Sequence, residues 1–386
     1  MKHFIKSFLT SLLIGIPLAI ILCVFLYLNK DRSGLNENHE ELIHISGFET
    51  DAELDSDYEK DIFVPSQEET LEALLSEDVS SVTISFAGDV HFSEQYIEAY
   101  ERSGISAFAD DEMLKYMQRA DLFVLNNEFA FTTRGEAMED KQYTLRSDPQ
   151  YVKILQELGT DIAGIANNHV LDFGQDAFLD TLDTLKNADI DYIGGGRTLE
   201  EAVTPVVKNI NGQSFAFLAA TRVSPSYDWY ANSKRPGVLQ TYDASDLNKA
   251  IKEAEKKYDH TIIFVHWGVE RVEIPEEYQR TLAKGYIDAG ADLVIGCHPH
   301  VLQGFEYYNG VPIAYSLGNY LFSNRTGETL LLNAVFDETG EVSIYLIPCE
   351  RKNGVLTRIQ EPTELFNHLT DISYNAAISH GGILIE

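Results

Sequence analysis

The sequence predicts an α/β fold, a mixed sheet or two packed sheets flanked by helices, preceded by one membrane-spanning helix. Three observations carry this. From Ser81 onward, short β-branched runs alternate with segments of helical spacing. Asn211-Gly212 and Asn309-Gly310 each separate two apolar runs, which is the chemistry of a tight hairpin turn. Far upstream, Phe8 to Leu28 runs without a charge, long enough to cross about 30 Å of hydrocarbon.

The elements follow in order. SVTISFAGD is a β-branched strand ending in a turn, DDEMLKYMQRA a helix and DLFVLNNE a strand. PQYVKILQELG has apolar residues at helical spacing, DIAGIANNH is strand-like, GQDAFLDTLDTLKNA is a helix, and IDYIGGG is a strand breaking into glycines. PVVKNINGQSFAFLA is a hairpin about Asn211-Gly212. ASDLNKAIKEAEKKY, HTIIFVHWG, PEEYQRTLAKGYIDAG and ADLVIGCHPH read as helix, strand, helix, strand. GFEYYNGVPIAYSLGN and TLLLNAVFDETGEVSIYLIPCE are two further hairpins. GGGR (Gly194 to Arg197) is either a tight strand-to-helix turn or a place for backbone to approach a ligand. RVSPSYDWY is a Pro- and aromatic-rich insert.

The domain organisation follows from composition. Residues 1–7 form a cytoplasmic N-terminus marked by Lys2 and Lys6, and residues 8–28 an anchor. The apolar core is long and YLNKDRSG after it offers no small-residue cleavage site, so an uncleaved anchor is expected; a cleaved signal is the competing reading. Residues 29–78 form an acidic stalk: from 33 to 80 there are fifteen acids against the single base Lys60. Residues 79–326 form the main domain, and 327–386 are strands that complete it or are appended to it. The expected location is the cell membrane, single-pass, with the C-terminal domain extracellular. The net charge of -32 excludes nucleic acid as a partner, because phosphate binding needs Lys and Arg. Cys297 and Cys349 lie in apolar β contexts, where a buried thiol is the commoner state than a pair.

The polar residues at the strand ends carry the chemistry. TISFAG is followed by Asp89 and His91, LFVLN by Asn127 and Glu128, and IAGIA by Asn167, Asn168 and His169. IIFV is followed by His266, and LVIG by His298 and His300. In open α/β sheets that edge is where ligands bind. Each residue alone has a plain reading: Asp89 a helix cap, His91 an exposed histidine, Glu128 a partner of Arg134, Asn168 a turn residue, His266 a core histidine. His298 and His300 point the same way if their strand continues, and are otherwise two solvated histidines in a turn. Together, carboxylates and imidazoles converging without bases repel unless a divalent cation neutralises them. The mixed O and N donors suit Mn, Fe or Zn better than Ca, and there are enough of them for two ions.

The segments FAGDVHF, NNEFAFT, ANNHVLDFG, HWGVE, GCHPHVLQGFE and YSLGNYLF occur in that order between Val82 and Asn324. They resemble the CapA-type poly-γ-glutamate capsule biosynthesis proteins, whose fold looks like a calcineurin-like metallophosphoesterase sandwich. The resemblance implies two divalent metal ions. It places Asp89 and His91 as a first Asp-x-His metal pair, Glu128 as a bridging carboxylate and Asn168 as an amide ligand. His266 and His298 are implied as ligands of one ion and His300 of the other. His169 is implied as the residue that contacts substrate or protonates a leaving group, oriented by Asp172. Departures are an apolar residue in many members where His91 stands, NNE for the usual NLE, and, in phosphoesterases proper, aspartate where Glu128 stands. The implied partners are the membrane, poly-γ-glutamate or another anionic envelope polymer, and membrane-bound synthase subunits. The competing readings are a metal-dependent phosphoesterase of the cell envelope and a non-catalytic scaffold that binds polymer.

Overall fold

The computed structural model of the chain describes residues 81–322 and 327–386. The expected anchor at 8–28 and the acidic stalk lie outside the described residues. Among the described residues no helix is long and apolar enough to cross a membrane.

An eight-stranded and a six-stranded mixed sheet form the centre. The first contains β1 (Val82–Val90), β2 (Leu122–Asn127), β3 (Ile162–Gly164) and β4 (Asp191–Ile193). The second contains β5 (Val206–Ile210), β6 (Gln213–Thr221), β7 (His260–His266), β8 (Leu293–Cys297), β9 (Phe305–Tyr308) and β10 (Val311–Ala314). The chain then returns to the first sheet with β11 (Asn319–Leu321), β12 (Glu328–Phe336), β13 (Val342–Lys352) and β14 (Val355–Arg358). The first sheet has the order β14-β13-β12-β1-β2-β3-β4, with β11 also beside β1. The second has the order β9-β10-β8-β7-β6-β5. β1 to β4 are parallel, as are β6, β7, β8 and β10, so their carboxyl ends share one edge in each sheet. The C-terminal strands complete the first sheet, since β12 pairs with β1 from Val82↔Phe336 to Phe86↔Leu332.

Apolar burial joins the layers. The rings of Phe86 on β1 and Phe264 on β7 stack at 6.5 Å, and Phe215 on β6 meets Phe336 on β12 edge-on at 5.1 Å. β1 is buried on both faces, as expected for a strand covered on both sides. Helices cover the sheets and start where the sequence offers caps. Asp110 accepts from Met113 N at 2.9 Å to open Asp111–Arg119, and Glu276 with Gln279 forms a capping box for Glu277–Asp288. The latter helix is also tied down by a buried carboxylate. Glu306 on β9 meets Arg280 Nε at 2.8 Å and Lys284 Nζ at 2.9 Å.

Both Asn-Gly hairpins form, with Asn211 at φ 49 and Asn309 at φ 53, each followed by a left-handed glycine. Three expected elements are shorter than their patterns. The strand in DIAGIANNH pairs only over Ile162–Gly164, because Asn167 Oδ1 turns the chain by accepting from His169 N and Val170 N at 3.1 and 3.0 Å. The helix in ASDLNKAIKEAEKKY ends at Ala254. The strand in ADLVIGCHPH ends at Cys297. GGGR is a packing turn and not a ligand cradle: a Cβ on Gly196 would lie 2.6 Å from Ala202 N.

A bulge in β1 aims the first site residue. Phe86 pairs with Val124 but Asp89 with Asn126, so β1 holds one extra residue there. Gly88 sits in that bulge, where a Cβ would lie 2.0 Å from Gly318 O. Gly88→Ala is therefore expected to cost about 1–3 kcal/mol or more, the range for overpacking. Thermal denaturation checks this, and an unchanged Tm would show that the strands part freely there.

Candidate metal centre

The carboxyl ends of β1, β2, β3, β7 and β8 deliver Asp89, Glu128, Asn168, His266, His298 and His300 to one buried cluster. Three groupings of ligand atoms each fall within 4.8 Å: Asp89, Glu128 and His300; Glu128, His266 and His298; Asp89, His266 and Cys297. Asn168 Oδ1 lies 2.8 Å from His266 Nε2, and Glu128 Oε1 lies 3.6 Å from that same nitrogen. Asn126 organises the floor by donating to Asp89 Oδ1 at 2.8 Å and to Glu128 Oε2 at 3.1 Å. Asn167 in turn donates to Asn126 Oδ1 at 3.1 Å.

His298 and His300 converge by a route that neither sequence reading described. The strand does not continue, and the turn that replaces it is not solvated. His298 has φ 100 and His300 φ 58, a backbone region that non-glycine residues seldom adopt. His298 is 4 % exposed, and its N–H faces the Asp89 carboxylate at 3.2 and 3.3 Å. His300 Nδ1 sits 3.2 Å from Asp89 Oδ2 and 2.8 Å from Asn319 Oδ1. Left-handed backbone held among buried acids marks a functional constraint more than a folding one.

The electrostatics show what these residues lack. Burial, then the neighbouring Asp89, pushes the Glu128 carboxyl well above its usual range. Burial alone would raise Asp89 too, but the hydrogen bond and charge of His300 outweigh it and leave Asp89 below its usual value. Burial and then His300 bring His298 down to about 3, and burial takes His266 well below its usual value. Both are therefore neutral imidazoles at physiological pH, the form that binds metal. Glu128 Oε1 and His298 Nδ1 are buried and have no hydrogen-bond partner. Such orphaned polar atoms are costly when buried, and a bound cation would satisfy them. The donor set of carboxylate, imidazole and amide oxygen therefore fits a divalent cation.

His169 and Asp172 form a second unit beside this cluster. His169 Nδ1 lies 2.7 Å from Asp172 Oδ2, which also accepts from Leu145 N at 2.7 Å. Lys141 Nζ bonds Asp172 Oδ1 and the Asn168 carbonyl, and packs over the Trp229 ring at 5.1 Å. Nδ1 of His169 faces Asp172 and, at 3.1 Å, Lys141 Nζ, so Nε2 is the nitrogen left for other partners. Burial lowers the His169 pKa, Asp172 opposes this, and the Lys141 charge adds to the lowering. Lys141→Met is therefore expected to raise the His169 midpoint in an NMR titration. An unmoved midpoint would remove the ammonium from this site.

His91 is not gathered with the others. Its ring packs between Phe129 at 5.7 Å and Phe322 at 5.5 Å, and it joins none of the three groupings. Glu128 does not pair with Arg134, which instead bonds Asp180. Sequence reasoning gave no role in the site to Asn126 or Cys297. Asn126 stood in NNE and Asn319 in SLGN, both visible as segments, but their bonds depend on tertiary contacts. The cluster opens through His169, His300 and Asn319 into a cleft of about 610 Å³ whose wall includes Tyr143, Arg271 and Phe322.

The chain is 32% identical over 284 residues to "PGA biosynthesis protein CapA" of Bacillus subtilis (strain 168), covering 71% of this chain and 72% of that protein. It is 28% identical over 309 residues to "Capsule biosynthesis protein CapA" of Bacillus anthracis, covering 77% and 75%. Among solved structures, the NAD nucleotidase NadN of Haemophilus influenzae aligns with a TM-score of 0.40 at 11% identity, over 78% of this chain and 65% of that one. So loose a likeness decides nothing. Residues 83–324 match the family described as "Bacterial capsule synthesis protein PGA_cap", a span that takes in every residue of the cluster, and the chain belongs to that family.

Proposed function

We propose that this is a membrane-anchored extracellular protein of poly-γ-glutamate capsule synthesis or export, carrying a two-cation site with hydrolase chemistry. The observation that carries the site is the pair of buried polar atoms without a hydrogen-bond partner, Glu128 Oε1 and His298 Nδ1. Asp89, Glu128 and His300 would hold one cation. Glu128, His266 and His298, with Asn168 Oδ1, would hold the other. Mn, Fe or Zn would supply Lewis acidity toward a carbonyl or phosphoryl oxygen. The chain's own part is to orient and to move a proton. Asp172 holds His169 by Nδ1, which leaves Nε2 to take up a proton from a nucleophilic water and then pass it to a leaving group. The capsule role rests on the likeness to the two Bacillus CapA proteins. The anchor rests on the uncharged stretch Phe8 to Leu28.

Elemental analysis of the purified full chain tests the site. The expected result is about two divalent ions per chain, with loss in Asp89→Ala and His298→Ala. Full occupancy in both variants would sink the site. A deletion strain assayed for surface polyglutamate tests the role. The Asn-His arrangement and paired acids also fit a phosphoesterase of the cell envelope. Turnover in a phosphoester panel, with polyglutamate unchanged in the deletion strain, would favour that second reading.

A further inference from the structure

We infer that Cys297 is the residue that positions His266 for cation binding, a role that rests on the metal reading above. Cys297 ends β8 beside the end of β7, is 1 % exposed, and lies 3.3 Å by its Sγ from His266 Nδ1. His266 uses its two nitrogens on opposite sides. Nε2 faces Asn168 Oδ1 at 2.8 Å and Glu128 Oε1 at 3.6 Å. Nδ1 faces the thiol and, at 3.4 Å, the Asn126 amide.

An amide oxygen only accepts, so with no cation Nε2 carries the ring hydrogen and donates it to Asn168 Oδ1. Nδ1 then accepts from the thiol. A cation held with Glu128 and His298 needs the Nε2 lone pair. The ring hydrogen must then reside on Nδ1, which donates to Sγ. The proton count is unchanged: one leaves Nε2 and one is taken up at Nδ1. The thiol keeps its hydrogen, turned toward Val265 O at 3.6 Å. Many metal-bound histidines rely on carboxylate or carbonyl partners, which accept only and fix one tautomer, and others on water. A thiol donates and accepts, so it partners His266 in both forms.

The alternative is that Cys297 ligates a cation directly with Asp89 and His266. That arrangement would take Nδ1 as the ligand atom and remove His266 from Glu128 and His298, whose orphaned polar atoms would stay unsatisfied.

The test uses the full chain loaded with Co²⁺ and with Zn²⁺. Chelator competition should show Cys297→Ser within a few-fold of wild type and Cys297→Ala weaker by about 10–100-fold, the usual loss for a partner of a ligating histidine. The Co²⁺ spectrum of the wild type should lack a thiolate-to-cobalt charge-transfer band. Nitrogen NMR of the wild-type His266 ring, which needs no variant, should show the hydrogen on Nε2 without metal and on Nδ1 with Zn²⁺. Unchanged affinity in Cys297→Ala, a charge-transfer band, or an unswitched ring would overturn the inference while leaving the metal site standing. A wild type that takes up neither ion would overturn both.

Discussion

Glu128→Gln is expected to abolish the stabilisation that Mn²⁺ or Zn²⁺ gives the wild type, while leaving the metal-free protein as stable or more so. Two opposing effects meet at this side chain. Without a cation, Glu128 is a buried carboxyl whose charge is opposed by burial and by Asp89. Its folded pKa is raised, so its contribution is favourable at low pH and is lost as pH rises toward that folded value. Glutamine keeps the shape and removes the charge. With a cation, Glu128 is the carboxylate common to the two proposed cation sets, Asp89 with Glu128 and His300, and Glu128 with His266 and His298. A ligand at about a hundred times its Kd adds about 2.7 kcal/mol. At about 1.5–2 °C per kcal/mol for a folded part of about 300 residues, that is about 4–5 °C in Tm. Differential scanning calorimetry of both proteins, with metal and with chelator, gives four midpoints. A variant that still gains several degrees from metal would remove Glu128 from the site.

Glu306→Ala is expected to lower Tm by about 5–6 °C without touching the cation site. Glu306 is 2 % exposed and accepts from Arg280 Nε at 2.8 Å, Arg280 Nη2 at 2.9 Å and Tyr315 Oη at 2.7 Å, with Lys284 at 2.9 Å. Breaking a buried ion pair by removing one partner costs about 3–5 kcal/mol, and the partial exposure of both cations favours the lower end. At about 1.5–2 °C per kcal/mol, about 3 kcal/mol gives the stated shift. Burial would raise the Glu306 pKa, but the bonds from Arg280, Lys284 and Tyr315 hold it down at about 2. Its folded value lies below the unfolded one, so its contribution is full above the ordinary glutamate range. That contribution is lost as pH falls through about 2. Wild type and variant should therefore converge in stability between pH 4.5 and pH 2. A constant gap across that range would assign the loss to packing.

The local layers of this fold are legible in the sequence, and the long-range ones are not. Turn chemistry at Asn211-Gly212 and Asn309-Gly310 is local, and both hairpins form where it lies. Most polar residues that follow apolar runs do gather where the carboxyl edges of the two sheets meet, because parallel strands share a direction. What escaped was whatever depends on partners distant in the chain. β12, from near the chain end, lies beside β1, and no local pattern encodes that neighbour. His298 and His300 looked like an i, i+2 pair on a strand, yet they meet the site through left-handed backbone that a histidine reveals by no periodicity. His91 fits a metal motif by spacing, but the chain after Val90 follows β11, with His91 N on Leu321 O at 2.8 Å, and its ring falls among phenylalanines. Cys297 read as an inert thiol because its apolar neighbours in sequence hide the imidazole beside it.

The division of the ligands between the layers has a mechanical consequence. Asp89 and Glu128 ride on one sheet, and His266 and His298 on the other. A cation held by Glu128 from one layer and by His266 and His298 from the other would act as a rivet through the seam, so prying the layers apart at that edge and releasing the ion would become one event. Chelation should then quicken amide exchange at the ends of β1, β7 and β8 together, while the opposite edge of the sandwich keeps its pace.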